Sequence, residues 1–389
     1  MSPRLSTTRP SRRRRAATSV AVLATLGGFA LSGALTAAPS HAAKPRDAVQ
    51  RDLDGLIASG VPGALAHVRA ADGTGRDYTA GVAERNTTRK VPVDGQVRIG
   101  SGTKPFVAVV TLQLVGEGKV KLDSPVETYL PNLVRGDGID GRKITVRQLL
   151  QHTSGLPNYT DAMVLDFPKY HHRYLEPREL LDLAFTQKGA PAGGEWSYSN
   201  TNYILAGLII QKVTGRPLAE QIDKRIVQPL GLRDTYFPGV GEQKIRGRHP
   251  HGYFRGVEEG APWTDVTVMD PSWGWAAGQM ISTPSEVARF YTALLRGKLL
   301  RPAELKQMRT TVPAGSPAPG VTASYGLGIF RTELACGRVS WGHGGTIHGF
   351  VSRVGFLDDG RGMVLVVNEL DALGDRSPLD TTVNASLCR

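Results

Sequence analysis

Cysteine is nearly absent from this chain: among 389 residues only Cys336 and Cys388 occur, both late in the sequence. Neither has C-x-x-C spacing or a nearby histidine, which argues against a catalytic thiol or a metal pair and favours a disulfide in an oxidising compartment. After the first 43 residues there is no apolar run long enough to span a bilayer, so no membrane span is expected beyond them. A basic block is missing as well. Six arginines and no acids fall in those first 43 residues, so only +6 of the formal +12 remains on the rest, spread along the chain. That distribution suits solubility and excludes a nucleic-acid footprint. No G-x-S-x-G elbow exists, which removes the α/β-hydrolase reading that "GHGG" at 342–345 invites. Internal repeats are lacking too.

What is present begins with a leader. Arg12 to Arg15 precede an apolar stretch that ends in small residues at Ala42 and Ala43, the pattern of a secretory signal peptide over 1–43. The doubled arginines suit either of two export routes. A secreted, extracellular product is expected, with residues 44–389 forming one hydrolase-sized domain and a monomer as the expected state.

Beyond the leader, "DAVQRDLDGLIASG" has helical spacing, and "GALAHVRAADGTGRDYTAGVAE" reads as two strands about a turn. Helical patterns dominate from about 116 to 279, separated by Pro- and Gly-rich loops. Strand patterns return in "YGLGIFR", "RVSWGHGG", "FVSRVGFLDD" and "GMVLVVNEL", while "PAGSPAPG" at 313–320 reads as a surface loop. The expected class is α/β (α+β): an antiparallel sheet built from both chain termini, about 44–115 and 280–389, flanked by helices, with a mostly helical region inserted. A site between the two parts would draw on residues distant in sequence.

Chemistry concentrates at "IGSGTK", where Ser101 and Lys104 stand three apart ahead of the apolar run "PFVAVVTLQLV". On a helix these two share a face, and a buried amine of lowered pKa can take a serine proton. A capping serine beside a solvated lysine would give the same tetrad. Two further motifs follow in order: Tyr198, Ser199 and Asn200 ahead of an apolar helix, and His343, Gly344 and Gly345 in a strand-like run.

Together these resemble the three motifs of the Ser-x-x-Lys hydrolases. "LLQHTSGL" (149–156), "YSNTNY" (198–203), "PSWGWAAGQMIST" (271–283), "YGLG" (325–328) and "GHGGTIHGF" (342–350) extend the likeness over nearly the whole chain. The chain looks like the group of class C β-lactamases, secreted D-alanyl-D-alanine carboxypeptidases and their esterase and D-aminopeptidase relatives, and is most similar to the secreted actinomycete-type carboxypeptidases. The resemblance implies a β-lactamase/transpeptidase-like fold and an acyl-enzyme on Ser101. Lys104 and Tyr198 would handle its proton, Asn200 would hold the substrate amide, and the backbone N–H groups of Ser101 and Thr346 would form the oxyanion hole. His343 and Gly345 fill third-motif positions, and Trp273 is placed at the cleft with Tyr159 on its rim. His152 reads as structural. The pairs "HHR" (171–173) and "HPH" (249–251) read as surface histidines, and neither metal nor cofactor is implied.

Two positions depart from the carboxypeptidase pattern. Where those relatives carry an arginine and a hydroxyl residue for the substrate carboxylate, this chain has Phe330 and Gly344. Arg331 should face away, as successive strand residues do, leaving Thr346 and a protonated His348 as replacement contacts. The expected activity is D-Ala-D-Ala carboxypeptidase or a close D-peptidase on peptidoglycan-type peptides, slowly acylated by penicillins. The alternatives are an esterase or D-amidase of the same fold, a β-lactamase, or a silent binder of peptidoglycan stems or β-lactams.

Overall fold

In a computed structural model the described residues are 47–163, 167–256, 260–315, 322–371 and 374–389. The expected leader and most of the 313–320 loop lie outside them. Residues 46–389 form one compact unit.

The glycine and turn punctuation cuts the chain into nine strands of one sheet. They are β1 Gly63–Arg69, β2 Gly75–Gly81, β3 Val312–Ala314, β4 Thr322–Tyr325, β5 Phe330–Glu333, β6 Val339–Gly342, β7 Gly345–Ile347, β8 Phe350–Leu357 and β9 Gly362–Val367. Their order is β2-β1-β9-β8-β6-β5-β4-β3, with β7 paired to β8 beyond β6. The first two strands are thus flanked by the last, and all pairings are antiparallel. All six residues of β9 are buried, because the sheet is covered on both faces. Met363, Leu365 and Val367 pack with helices α1 (Ala48–Ala58) and, at the C-terminus, Ser377–Cys388. Val364 and Val366 belong to the larger core, with Phe106 and Phe290.

That larger core is organised by α2 (Lys104–Gly116), whose residues 106–110 are wholly buried. Apolar residues on every side mark a helix enclosed all round, here in a core shared with α3 (Val146–Gln151), α4 (Pro177–Phe185), α5 (Thr201–Thr214) and α6 (Pro284–Leu295), with Phe106 stacked on Phe290 of α6. The C-terminal helix Ser377–Cys388 is called α7 below. Among the described residues no helix is long and apolar enough to cross a membrane.

Two strand readings need correction. "YGLGIFR" is a hairpin: Gly326–Ile329 is the turn between β4 and β5, closed by Gly326 N–H donating to the Ile329 carbonyl at 2.8 Å. "WGHGG" is interrupted: β6 stops at Gly342, and His343 and Gly344 fall in a gap before β7. The expected disulfide is present, joining Cys336 after β5 to Cys388 at the end of α7.

Candidate active site

A short 3-10 turn, Gly100–Thr103, leads into α2. In such a turn residues three apart are eclipsed, so Ser101 and Lys104 are stacked along one edge. Lys104 Nζ lies 3.0 Å from Ser101 Oγ, 2.7 Å from Asn200 Oδ1 and 2.8 Å from the Ala277 carbonyl. Lys104 is fully buried, and among the described residues no carboxylate pairs with it. Burial therefore drives its amine well below the ordinary lysine range. A neutral amine has two N–H groups, which Asn200 and Ala277 accept; its lone pair is left for the Ser101 hydroxyl. The capping alternative fails, since this lysine is not solvated.

Tyr198 shares a hydrogen bond with Ser101, and burial raises its phenol well above the ordinary range against that bond's opposing effect. Lys104 Nζ stands 4.9 Å from its ring centroid. Of the two groups beside Ser101, the amine therefore suits a base and the phenol a proton donor at neutral pH.

The Tyr198–Asn200 loop is pinned from beneath. His152 Nδ1 accepts from Ser199 N–H at 3.2 Å and from Asn202 Nδ2 at 3.0 Å, and its ring lies 4.3 Å from that of Tyr198. Asn200 donates through Nδ2 to Asn158 Oδ1 and to Thr160 Oγ1, both at 3.2 Å, which fixes its Oδ1 towards Lys104. Asn158 and Thr160 were missed from sequence; "PNYT", so close to the "QHTSGL" landmark, was the available signal. Tyr159 between them is no rim residue. It is wholly buried, its hydroxyl donating to the Trp273 carbonyl at 2.5 Å.

The third motif faces the Ser101 turn along the edge of β7 that, among the described residues, no strand covers. The fit is close: a Cβ on Gly345 would come 1.9 Å from the Ile99 carbonyl oxygen, so only glycine is accommodated. Gly345 N–H donates to Ser352 Oγ at 2.8 Å and thus turns away from substrate. Thr346 is exposed beside Ser101. His343 is buried with Nδ1 on the Gly344 carbonyl at 2.6 Å, and burial together with Lys104 pushes it down to about 3. It is a neutral ring packed between Phe330, Tyr198 and Tyr325, at centroid distances of 5.2, 6.1 and 5.8 Å.

The expectation of a cationic His348 is overturned. Packed edge-on against Phe254 and Trp273, it is pushed down by burial and by His171 to about 3, and stays neutral at physiological pH. Phe330 does face the site, in an aromatic wall with Tyr325 and Trp196. Arg331 turns away and pairs with Glu333 at 2.7 Å. Trp273 lines a narrow cleft with Ser101, Thr160, Asn200 and Thr346, whereas Trp275 packs on Gly207 of α5. Other histidines are engaged elsewhere: His67 with Asp77, His171 stacked on His172, His172 with Gln243, His249 with the Gly247 carbonyl and His251 with Asp265.

The sequence matches the family described as Beta-lactamase over residues 46–385. The chain belongs to that family. A D-stereospecific amidohydrolase from Streptomyces sp. has a similar structure, with a TM-score of 0.79 and 40% identity over 87% of this chain and 98% of that one. D-amino acid amidase from Ochrobactrum anthropi SV3, in complex with L-phenylalanine amide, gives 0.78 and 29% over 87% and 96%. The D-alanyl-D-alanine-carboxypeptidase/endopeptidase AmpH of Escherichia coli (strain K12) is 27% identical over 74% of this chain and 76% of its own length. Matches to other relatives are partial: that to the Bacillus subtilis penicillin-binding protein PbpX spans 70% of this chain and 61% of the relative, and that to the Burkholderia gladioli esterase EstB spans 42% of this chain and 44% of the relative. These relatives place the chain among the serine hydrolases of the β-lactamase fold, a group that holds amidases, esterases and carboxypeptidases.

Proposed function

We propose that this protein is a secreted serine hydrolase that cleaves the amide bond after a D-configured acyl residue without requiring a free carboxylate on the leaving side. Ser101 Oγ attacks the carbonyl while Lys104 Nζ accepts its proton; the Ser101 and Thr346 N–H groups hold the oxyanion, and the Tyr198 phenol protonates the departing amine. Water then releases the acyl group from Ser101. The observation that carries the chemistry is the buried, carboxylate-free Lys104 held 3.0 Å from Ser101.

The reading moves away from a strict carboxypeptidase because the position that holds a cation in the carboxypeptidase pattern carries Phe330. Phe330 fills the arginine position and Arg331 faces Glu333. D-stereochemistry is supported by the likeness to the Streptomyces amidohydrolase over nearly all of that chain. Export rests on the leader pattern at 1–43, and a Cys336–Cys388 disulfide suits an oxidising compartment.

The test is a turnover panel of D- and L-phenylalanine amide, diacetyl-Lys-D-Ala-D-Ala, its C-terminal amide, a short-chain ester and a cephalosporin, using the native protein and Ser101→Ala. The D-amide should be hydrolysed in preference to the L-amide, with all turnover lost in Ser101→Ala. Strong preference for the free-acid D-Ala-D-Ala substrate would restore the carboxypeptidase reading.

A further inference from the structure

One cavity of about 310 Å³ opens at Ser101 and Tyr198 and continues past Phe330 and the glycines of the third motif to β8 and α7. Its depth comes from what the motif lacks. Gly342 at the end of β6, Gly344 in the gap after it and Gly345 at the start of β7 line the cavity without side chains, which leaves space between β5 and β8 there. Gly344 is moreover fixed as glycine by packing: a Cβ would come 2.5 Å from the Ser352 carbonyl oxygen. The walls beyond are mixed, with Thr332 and Ser340 on the strands, Asp380 and Asn384 on α7, and Val354 and Val383 between them. Arg353 stands there on β8, its Nε donating to Asp380 Oδ1 at 2.7 Å and its Nη1 to the Ser352 carbonyl at 3.1 Å. A guanidinium has five N–H donors, so the fork keeps donors for a ligand oxygen.

Resting on the acyl-serine reading above, we infer that this cavity is an extended leaving-group subsite for a peptide amine of two residues or more, with a carbonyl or carboxylate oxygen of that peptide held by Arg353. The side follows from the resemblance, in which the positions of Phe330 and Gly344 face the departing residue; the cleft of Asn200 and Trp273 adjoins the cavity at Ser101 and Thr346 and is left for the acyl side. The size argues for a peptide. Water takes about 30 Å³, and ammonia, the leaving group of a simple amide, is no larger. It would fill about a tenth of the space, whereas ligand sites begin at roughly 300 Å³. In the step itself the acyl carbon gains its bond to Ser101 Oγ and loses its bond to the peptide nitrogen. That nitrogen takes a proton from Tyr198, which is made good by the Ser101 proton held on Lys104, and the free peptide leaves through the cavity.

The experiment compares kcat/KM for D-Phe-D-Ala-D-Ala, which releases D-Ala-D-Ala, with that for D-phenylalanine amide, which releases ammonia. The native protein should favour the peptide by about tenfold or more, the worth of one charge-assisted hydrogen bond. Asn384→Trp, which fills the cavity from α7, should bring the ratio near one, and Arg353→Met should lower it several-fold. Free D-Ala-D-Ala should also inhibit hydrolysis of the amide by the native protein, a readout that needs no variant to fold. Ser101-dependent turnover with equal rates for the two leaving groups overturns this inference alone. Loss of the acyl-serine reading itself shows differently, as no Ser101-dependent turnover of either substrate.

Discussion

The two sides of Ser101 are built on opposite plans. On the acyl side the space is about 40 Å³, edged by Thr160, Asn200 and Trp273, with Asn200 itself held by Asn158, Thr160 and Lys104. On the other side about 310 Å³ lies between an aromatic wall and a glycine-lined strand. Narrow spaces built from committed hydrogen bonds discriminate sharply, because a wrong group leaves buried polar atoms unpaired; a roomy wall discriminates weakly. On the proposed reading, selectivity should be strictest for the residue that is acylated and looser for what departs, where the Arg353 contact is what favours a peptide.

The largest effects should come from the group both sides share. Ser101→Ala should abolish hydrolysis and covalent labelling by a fluorescent penicillin, while Lys104→Ala and Tyr198→Phe should each lower kcat/KM by about 10²-fold or more. Next comes the acyl side alone. Asn200→Ala removes an acceptor for Lys104 and, on the proposed reading, a substrate contact, and should cost about 10 to 10²-fold for every leaving group tested. A loss confined to one leaving group would erase the division between the sides. A smaller change is expected from Phe330→Arg, which places a cation beside the scissile bond. It should raise the preference for free-acid over amidated D-Ala-D-Ala substrates by about tenfold. Substituting Gly344 with threonine is the wrong companion change, since its Cβ would strike the Ser352 carbonyl. Least of all should the chemistry notice the disulfide. Reducing Cys336–Cys388 should lower stability by about 2–4 kcal/mol, read by thermal unfolding, with both sides of the site unchanged in rate.

Much of this was legible in the sequence, and unevenly so. Ser101, Lys104, Tyr198 and Asn200 could be gathered because the motifs fix local geometry: the turn stacks Ser101 on Lys104, and the helix start holds Asn200. The sheet from both termini followed from strand patterns at each end. What escaped depends on packing between distant segments. The charge of His348 is decided by Phe254 and Trp273 pressing on its ring, and nothing in "GTIHGF" reveals them. The break at His343 and Gly344 arises beyond the Phe330–Gly342 pair, opposite the start of β5, where β6 gives way to β7, a register property. Arg353 and Asp380 are 27 residues apart and meet only because α7 folds back over β8. Glycine at 344 reads in sequence as a missing hydroxyl; in the structure it is also a close approach between backbones.

The central claim is that Lys104 is neutral in the folded protein and serves as the base for Ser101. Its ordinary value is 10.5, and burial lowers it well below that. In the window between the two values the unfolded chain holds a proton that the folded one has shed, so stability rises with pH across it, and activity rises as pH passes upward through the folded value. The direct measurement is an NMR titration of the Lys104 side chain, with lysine labelled at Cε, beside the pH profile of kcat/KM for D-phenylalanine amide. The account predicts a Lys104 midpoint far below 10.5 that coincides with the acidic limb of the rate profile. A midpoint at the ordinary lysine value, with full activity while the amine is charged, would contradict it.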